Sequence, residues 1–262
     1  MKTPPAILGK IAESTLARVA KAKEDLPLEQ ILKDLPQTTL TGDFRKALSA
    51  PGLSFICEVK KASPSKGIIA EHFPWLEIAK EYEEGGASAI SVLTEPEFFM
   101  GSEQYLREIS AAVKIPTLRK DFIIDPYQIY EAKLWGASAI LLICALLEPQ
   151  TVSKYIAIAD ELSLDCLVEI HSEQEAQEAV DAGARIIGVN NRDLTTFTID
   201  TELTMRLKTK IPSGTLTVAE SGINNTEDIR KLKEIGVDAV LIGESLMRSK
   251  DRKKLLNELI NA

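Results

Sequence analysis

The feature that most constrains this chain is a count. From residue 55 onward, eight short apolar runs alternate with segments whose apolar residues fall at helical spacing. The runs are 55–59, 89–93, 117–119, 139–143, 166–169, 186–189, 216–219 and 239–242. Strands that alternate with helices must pair in parallel through right-handed crossovers. Eight such units can close on themselves and leave no unpaired edge. A repeat supports closure. Gly86-Ala87-Ser88-Ala89-Ile90 recurs as Gly136-Ala137-Ser138-Ala139-Ile140, with looser copies at Gly183-Ala184-Arg185-Ile186-Ile187 and Gly236-Val237-Asp238-Ala239-Val240. In each, the glycine ends a helix, a tight turn follows, and an apolar strand begins. The copies precede the second, fourth, sixth and eighth runs. A fourfold echo of this kind favours a closed barrel over an open, doubly wound sheet. The glycine-rich dinucleotide fingerprint that nucleotide-binding open sheets carry after their first strand is absent. The expected class is α/β, a (β/α)8 or TIM barrel.

The first fifty residues read differently. Ile7, Ile11, Leu16 and Val19 fall near helical spacing, and Leu28, Ile31, Leu32 and Leu35 do so again after Pro27. Two amphipathic helices are expected before the first strand. They could stabilise the barrel from outside or cover the mouth of its site. The chain is expected to be one domain over 1–262, with a helical extension at 1–50 and the barrel at 51–262.

Composition narrows the function. A net charge of −8 argues against a nucleic-acid binder, which needs a basic stripe to neutralise phosphates. A small anionic substrate needs only a few local cations. Cys57, Cys144 and Cys166 each lie in an apolar run without metal-like spacing, as buried thiols of a reducing compartment do. The Pro-rich start is not a signal peptide, and no apolar run approaches the ~18 residues of a membrane span. A cytoplasmic protein is expected, a monomer or weak homo-oligomer, with no membrane or nucleic-acid partner.

Barrels of this kind work at the C-terminal ends of their strands. Side chains along a strand alternate faces, so Glu58 and Lys60 share the inward face while Cys57 and Val59 point to the helices. A structural ion pair plugging the barrel is the plainer reading of Glu58 and Lys60, because an isolated charge there is very costly. If Leu118 is core, Lys120 points into the mouth, where it could be a general acid, an anion clamp or a Schiff-base former. Glu169 is inward if Leu167 is, and a carboxyl in an apolar mouth can exchange a proton near neutrality. His171 shares that parity further out and reads as a supporting residue. His72 reads as a solvated loop residue, and two separated histidines do not make a metal site. Asn190 can orient a substrate or a carboxylate, and Arg192 suits a planar carboxylate or phosphate. Loop capping and a surface ion pair are their plainer readings. Gly222 and Gly243, just after the seventh and eighth runs, let backbone N–H groups approach an anion, and a short helix nearby adds its dipole. The residues thus point to a phosphorylated metabolite handled by acid–base chemistry without metal or cofactor.

Several segments resemble the indole-3-glycerol phosphate synthase family. They are 58–65 (EVKKASPS), Leu93-Thr94 with Phe98-Phe99 and Gly101-Ser102, 118–122 (LRKDF), Val168-Glu169, 190–194 (NNRDL), 219–223 (AESGI) and 242–247 (IGESLM). The resemblance covers the whole barrel, and the helical extension also suits the family. It implies conversion of 1-(2-carboxyphenylamino)-1-deoxyribulose 5-phosphate to indole-3-glycerol phosphate, by ring closure, loss of carbon dioxide and loss of water. It implies Lys120 as the acid that protonates the carbonyl oxygen, and Glu169 in proton transfer during dehydration. Lys60 would bind an anionic group and act as an acid in the dehydration. Glu58 with Asn190 would hold the reacting hydroxyls. Ser63 and Arg192 would contact the anthranilate part, with Phe98, Phe122 and Leu241 on the apolar side. Ser221, Gly222, Gly243 and Glu244 would cradle the phosphate, Glu244 through its backbone, and Glu220 would anchor the lysines. The competing readings are a phosphoribosyl isomerase on the same barrel, an aldolase using Lys120 as a Schiff base, and a non-catalytic barrel kept as a binding module. The isomerase would not need both lysines, and the last would not need its mouth residues.

Overall fold

The Gly-containing turns of the repeat set the frame. In the computed structural model, which describes residues 2, 6–35 and 43–262, Gly86, Gly136, Gly183 and Gly236 all take positive φ, between 70° and 92°. After each, a backbone N–H reaches back five residues, as from Ala87 to Tyr82 O (3.0 Å) and from Val237 to Leu232 O (3.1 Å). The preceding N–H reaches back three, as from Gly86 to Glu83 O at 3.1 Å. This paired helix ending needs a left-handed residue, which glycine supplies without a Cβ clash. It reverses the chain directly into an inner strand.

Those strands are β1 (Ser54–Val59), β2 (Ala89–Leu93), β3 (Thr117–Lys120), β4 (Ala139–Ile143), β5 (Asp165–Ile170), β6 (Ile186–Asn190), β7 (Leu216–Glu220) and β8 (Ala239–Ile242). All pair in parallel, β8 returns to β1, and the barrel is closed. Five of the expected runs gain residues at their ends, so Lys120, Asn190 and Glu220 close their strands. The register sets Glu58 beside Ser91, Lys120 beside Leu93, and Glu220 between Asn190 and Leu241. A two-stranded hairpin (Ala62–Ser63 with Gly67–Ile68) rises from the loop after β1.

Three helices precede β1: α1 (Ala6–Asp25), α2 (Leu28–Asp34) and α3 (Phe44–Leu48). The third was not expected. Its signal is Asp43, whose side chain caps Lys46 N at 2.8 Å, followed by Phe44 and Leu48 on one buried face. The buried face of α1 runs through Leu8, Ile11, Ala12, Thr15 and Val19, while the expected Leu16 and Leu32 are exposed at 45% and 50%. Around the barrel follow α4 (Trp75–Glu84), α5 (Glu103–Ala112), α6 (Tyr127–Leu134), α7 (Pro149–Glu161), α8 (Glu173–Asp181), α9 (Leu203–Lys208), α10 (Thr226–Glu234), a short α11 (Glu244–Arg248) and α12 (Arg252–Ile260). No helix among the described residues is long and apolar enough to cross a membrane.

The extension is bolted to β3 and α6. Arg18 on α1 makes two hydrogen bonds to the Asp121 carboxylate, at 2.7 and 3.0 Å. Tyr127 donates its hydroxyl to Ala22 O and Leu26 O, and its ring packs with buried Val19 and Ile31. On its other side, Asp121 accepts from the fully buried Arg119 at 3.0 Å. Arg119 in turn bonds Glu131 and lies over the Trp135 ring at 4.1 Å. Burial opposes ionisation of Asp121, but Arg18 and Arg119 bring its carboxyl down to about 2.

Candidate active site

The C-terminal ends of the strands converge on one cavity. Its walls include Glu58, Lys60, Lys120, Glu169, Asn190 and Glu220, with Ile7, Leu8 and Ile11 of α1 closing one side. Both readings of the extension therefore meet in one helix: the face that packs on the barrel also walls the site.

The centre is Lys120. Its Nζ lies 3.2 Å from Glu220 Oε2, 3.7 Å from Glu169 Oε2 and 3.9 Å from Glu58 Oε2. The carboxylates come from β7, β5 and β1. Glu58 also pairs closely with Lys60. Burial works against the Lys120 charge, but Glu220, Glu169 and Glu58 together hold its ammonium well above the ordinary lysine range. A lysine held charged is a proton donor and an anion partner, and is a poor Schiff-base nucleophile. Burial also opposes the charge of Glu58, yet Lys60 and Lys120 keep its carboxyl below the usual range. Glu220 goes the other way. Burial raises it to about 7 even against Lys120, and Glu169 adds to the rise. Three acids and two lysines at one focus cannot all be ionised at equal ease, and Glu220 takes the strain.

Two glycines make room for this cluster. A Cβ on Gly188 of β6 would stand inside van der Waals contact with Glu220 Oε1, and one on Gly243 would come within 2.5 Å of Glu58 Oε1. The sequence reading gave Gly243 to the phosphate cradle and gave Gly188 no role. Their φ values are not positive, so close approach accounts for them.

The other expected residues also reach the cavity, with one exception. Ser63, Phe122, Arg192 and Leu241 line it, as do Ser221, Gly222, Gly243 and Glu244. Arg192 is steadied by Phe197 O at 3.3 Å, and the Asn190 side chain accepts from Arg192 N at 3.1 Å. Ser221 and Gly222 both have positive φ, 65° and 80°. Glu244 sits at the start of α11, its carboxylate drawn to Arg248 and Lys66. Phe98 is the exception. The Glu95 carboxylate accepts the backbone N–H groups of Glu97, Phe98 and Phe99 and turns the loop. Phe99 thereby joins the cavity wall, its ring 5.9 Å from that of Phe122, while Phe98 packs aside against the core. Glu95 is itself buried, and its place decides between the two rings.

His72 is exposed, and among the described residues no group of three His, Cys, Asp or Glu side chains is arranged to hold a metal ion.

The model of the family described as indole-3-glycerol phosphate synthase matches residues 8–259. A protein of that name from Ruminiclostridium cellulolyticum is 54% identical over 94% of this chain and 95% of its own length. One from Endomicrobium trichonymphae is 51% identical over 97% of this chain and 99% of its own. Among solved structures, 3-hexulose-6-phosphate synthase from Salmonella typhimurium superimposes with a TM-score of 0.66 at 12% identity, covering 80% of this chain and 97% of that one. Thiamine phosphate pyrophosphorylase from Pyrococcus furiosus does so at 0.61 and 19%, covering 83% and 96%. At such identities the likeness speaks for the fold alone.

Proposed function

The chain belongs to the indole-3-glycerol phosphate synthase family, and from that premise we propose how its side chains divide the work. The activity is that of a decarboxylating carbon–carbon lyase of tryptophan biosynthesis, converting 1-(2-carboxyphenylamino)-1-deoxyribulose 5-phosphate to indole-3-glycerol phosphate. Lys120 is the general acid. As the aromatic carbon attacks the carbonyl carbon, the ammonium gives its proton to the carbonyl oxygen. The supporting observation, and the one that carries the reading, is an ammonium ringed by carboxylates from three strands. Loss of carbon dioxide then restores the electron pair to the ring. Glu169 takes part in proton transfer as the hydroxyl leaves as water. Lys60 binds an anionic group and can protonate the leaving hydroxyl. Glu58 orients Lys60 and, with Asn190, holds the substrate hydroxyls. Glu220 anchors Lys120.

Ser63 and Arg192 bind the anthranilate carboxylate, against a wall of Phe99, Phe122 and Leu241. Ser221, Gly222, Gly243 and the Glu244 backbone take the phosphate, where the loops after β7 and β8 expose N–H groups at the start of α11. The proton donor and acceptors are all side chains, so the proposed chemistry runs without metal or cofactor. The net charge of −8 suits a small phosphorylated ligand held by local cations, with no nucleic-acid or membrane partner. We place the protein in the cytoplasm as a monomer or weak homo-oligomer, residues 1–50 and 51–262 forming one domain.

The test is indole fluorescence on mixing the protein with the carboxyphenylamino substrate. Multiple turnovers are expected for the wild type and none for Lys120→Ala, with a thermal melt recorded beside the assay because the substitution leaves three buried carboxylates without their shared cation. Near-normal turnover in that variant removes Lys120 from the mechanism.

A further inference from the structure

The cluster around Lys120 has an outer neighbour that lines no part of the cavity. His171 follows β5 two residues beyond Glu169, its side chain 16% exposed. Its Nε2 lies 3.5 Å from Glu169 Oε1, and its Nδ1 lies 3.5 Å from Glu175 Oε2. The other Glu169 oxygen, Oε2, faces Lys120. The Glu169 carboxylate is thus strung between an ammonium inside the mouth and an imidazole behind it.

The local sequence holds the imidazole there. Ser172 caps α8 by accepting from Glu175 N, and the Glu175 side chain reaches back to His171 N at 2.6 Å. Neither ring nitrogen has a hydrogen-bond partner of good geometry, although both are buried. A neutral imidazole has one N–H and would turn a lone pair toward the second carboxylate, whereas the imidazolium offers an N–H to each. Glu220 on β7 and Asp193 in the loop after β6 add negative charge around it, while Lys120 sits against the other oxygen of Glu169 and adds positive charge.

We propose that His171 is a positioning residue that acts on the reaction through Glu169, keeping that carboxylate aimed into the cavity. This rests on Glu169 as the group that moves the proton in the dehydration. Burial disfavours the His171 cation, but Glu175 and Glu169 outweigh it and hold the imidazole above its ordinary range.

The test joins kinetics to spectroscopy. His171→Gln keeps a polar side chain but carries no charge. It is expected to lower kcat about tenfold at pH 6, where the imidazole is the charged partner of Glu169, and to converge with the wild type as pH rises past the imidazole's own midpoint. KM should stay as in the wild type, because His171 does not touch the cavity. Added to Glu169→Gln, the substitution should cost nothing further. The chain has two histidines, so imidazole resonances can be followed in the unmodified site, with His72→Gln assigning them. Glu169→Gln should lower the His171 midpoint by about one unit. This arm holds even if His171→Gln fails to fold. A His171→Gln pH profile superimposable on the wild type, or a His171 midpoint indifferent to Glu169→Gln, overturns the proposal. Near-normal turnover by Glu169→Gln instead overturns the role of Glu169, and the kinetic half of the proposal falls with it.

Discussion

Gly188→Ala adds one methyl group, and the structure says where it must go. The new Cβ would press on Glu220 Oε1, with Leu167 Cδ1 3.2 Å away on another side. The strand backbone is fixed by ladders to β5 and β7, so the carboxylate must yield, by on the order of 1 Å. That breaks the 3.2 Å contact from Lys120 Nζ to Glu220 Oε2. Lys120 keeps Glu169 and Glu58 but loses the partner that fixes its height in the mouth.

A misplacement of about 1 Å at a reacting group can cost on the order of 10²-fold in rate, or about 2.7 kcal/mol of barrier. The stability cost is smaller, about 1–3 kcal/mol for overpacking, because the far end of a flexible side chain moves and the backbone does not. The assay is kcat by indole fluorescence beside a thermal melt. The expected result is a kcat lower by about 10²-fold with a melting temperature down by only a few degrees. Wild-type kcat in a folded Gly188→Ala would refute the reasoning, since Glu220 would then be free to shift without consequence. A collapse of the fold with no soluble protein would refute the claim that the carboxylate yields first.

Other perturbations follow from the same geometry. Glu220→Gln should melt higher than the wild type at pH 8. The native carboxyl, held at about 7 by burial, must ionise in a buried site, while the unfolded one is ionised from about 4.3 upward. The advantage should shrink as pH falls from 7 towards 4.3, and a constant gap over that window refutes it. Asp121→Asn should destabilise by about 3–5 kcal/mol, because it strips a partner from buried Arg119; a chemical denaturation curve measures this, and a loss under about 1 kcal/mol would count against it. The Asp121 contribution is present above about pH 4 and should fade as pH drops toward 2. Glu169→Gln should slow turnover by about 10²–10⁴-fold, and an unaffected rate moves that role to Glu58.

How much of this was legible follows the two kinds of periodicity. Alternation along β1, β3 and β5 told which side chains face inward, and parallel closure made those ends neighbours. Glu58, Lys60, Lys120 and Glu169 could therefore be placed together without coordinates, while Glu220 joined them through the family resemblance. Gly188 could not, because a glycine in a strand says only that something is close and does not name it. Arg119 was hidden for a different reason. Its parity points it outward, where its partners are Glu131 on α6, Trp135 just after that helix, and Asp121, itself held by Arg18 on α1. Phe98 and Phe99 are adjacent and chemically equal, so a buried carboxylate, Glu95, decided between them. α1 was legible as an amphipathic helix, but which of its apolar residues turn inward depends on where it crosses the barrel.

The outward network bears on catalysis through one residue. Asp121 follows Lys120 directly in the chain, and the strand alternation that sends Lys120 into the mouth sends Arg119 out to α6. Arg119 and Arg18 both grip the Asp121 carboxylate, one from the barrel and one from the extension. The backbone that carries the Lys120 ammonium is thus clamped on both sides at the point where a strand would otherwise fray into a loop. Such clamping matters most here, since Lys120 must keep three carboxylates within 3.9 Å while a substrate enters among them. The helical extension therefore contributes twice: its apolar face walls the cavity, and its arginine fixes the strand end that carries Lys120.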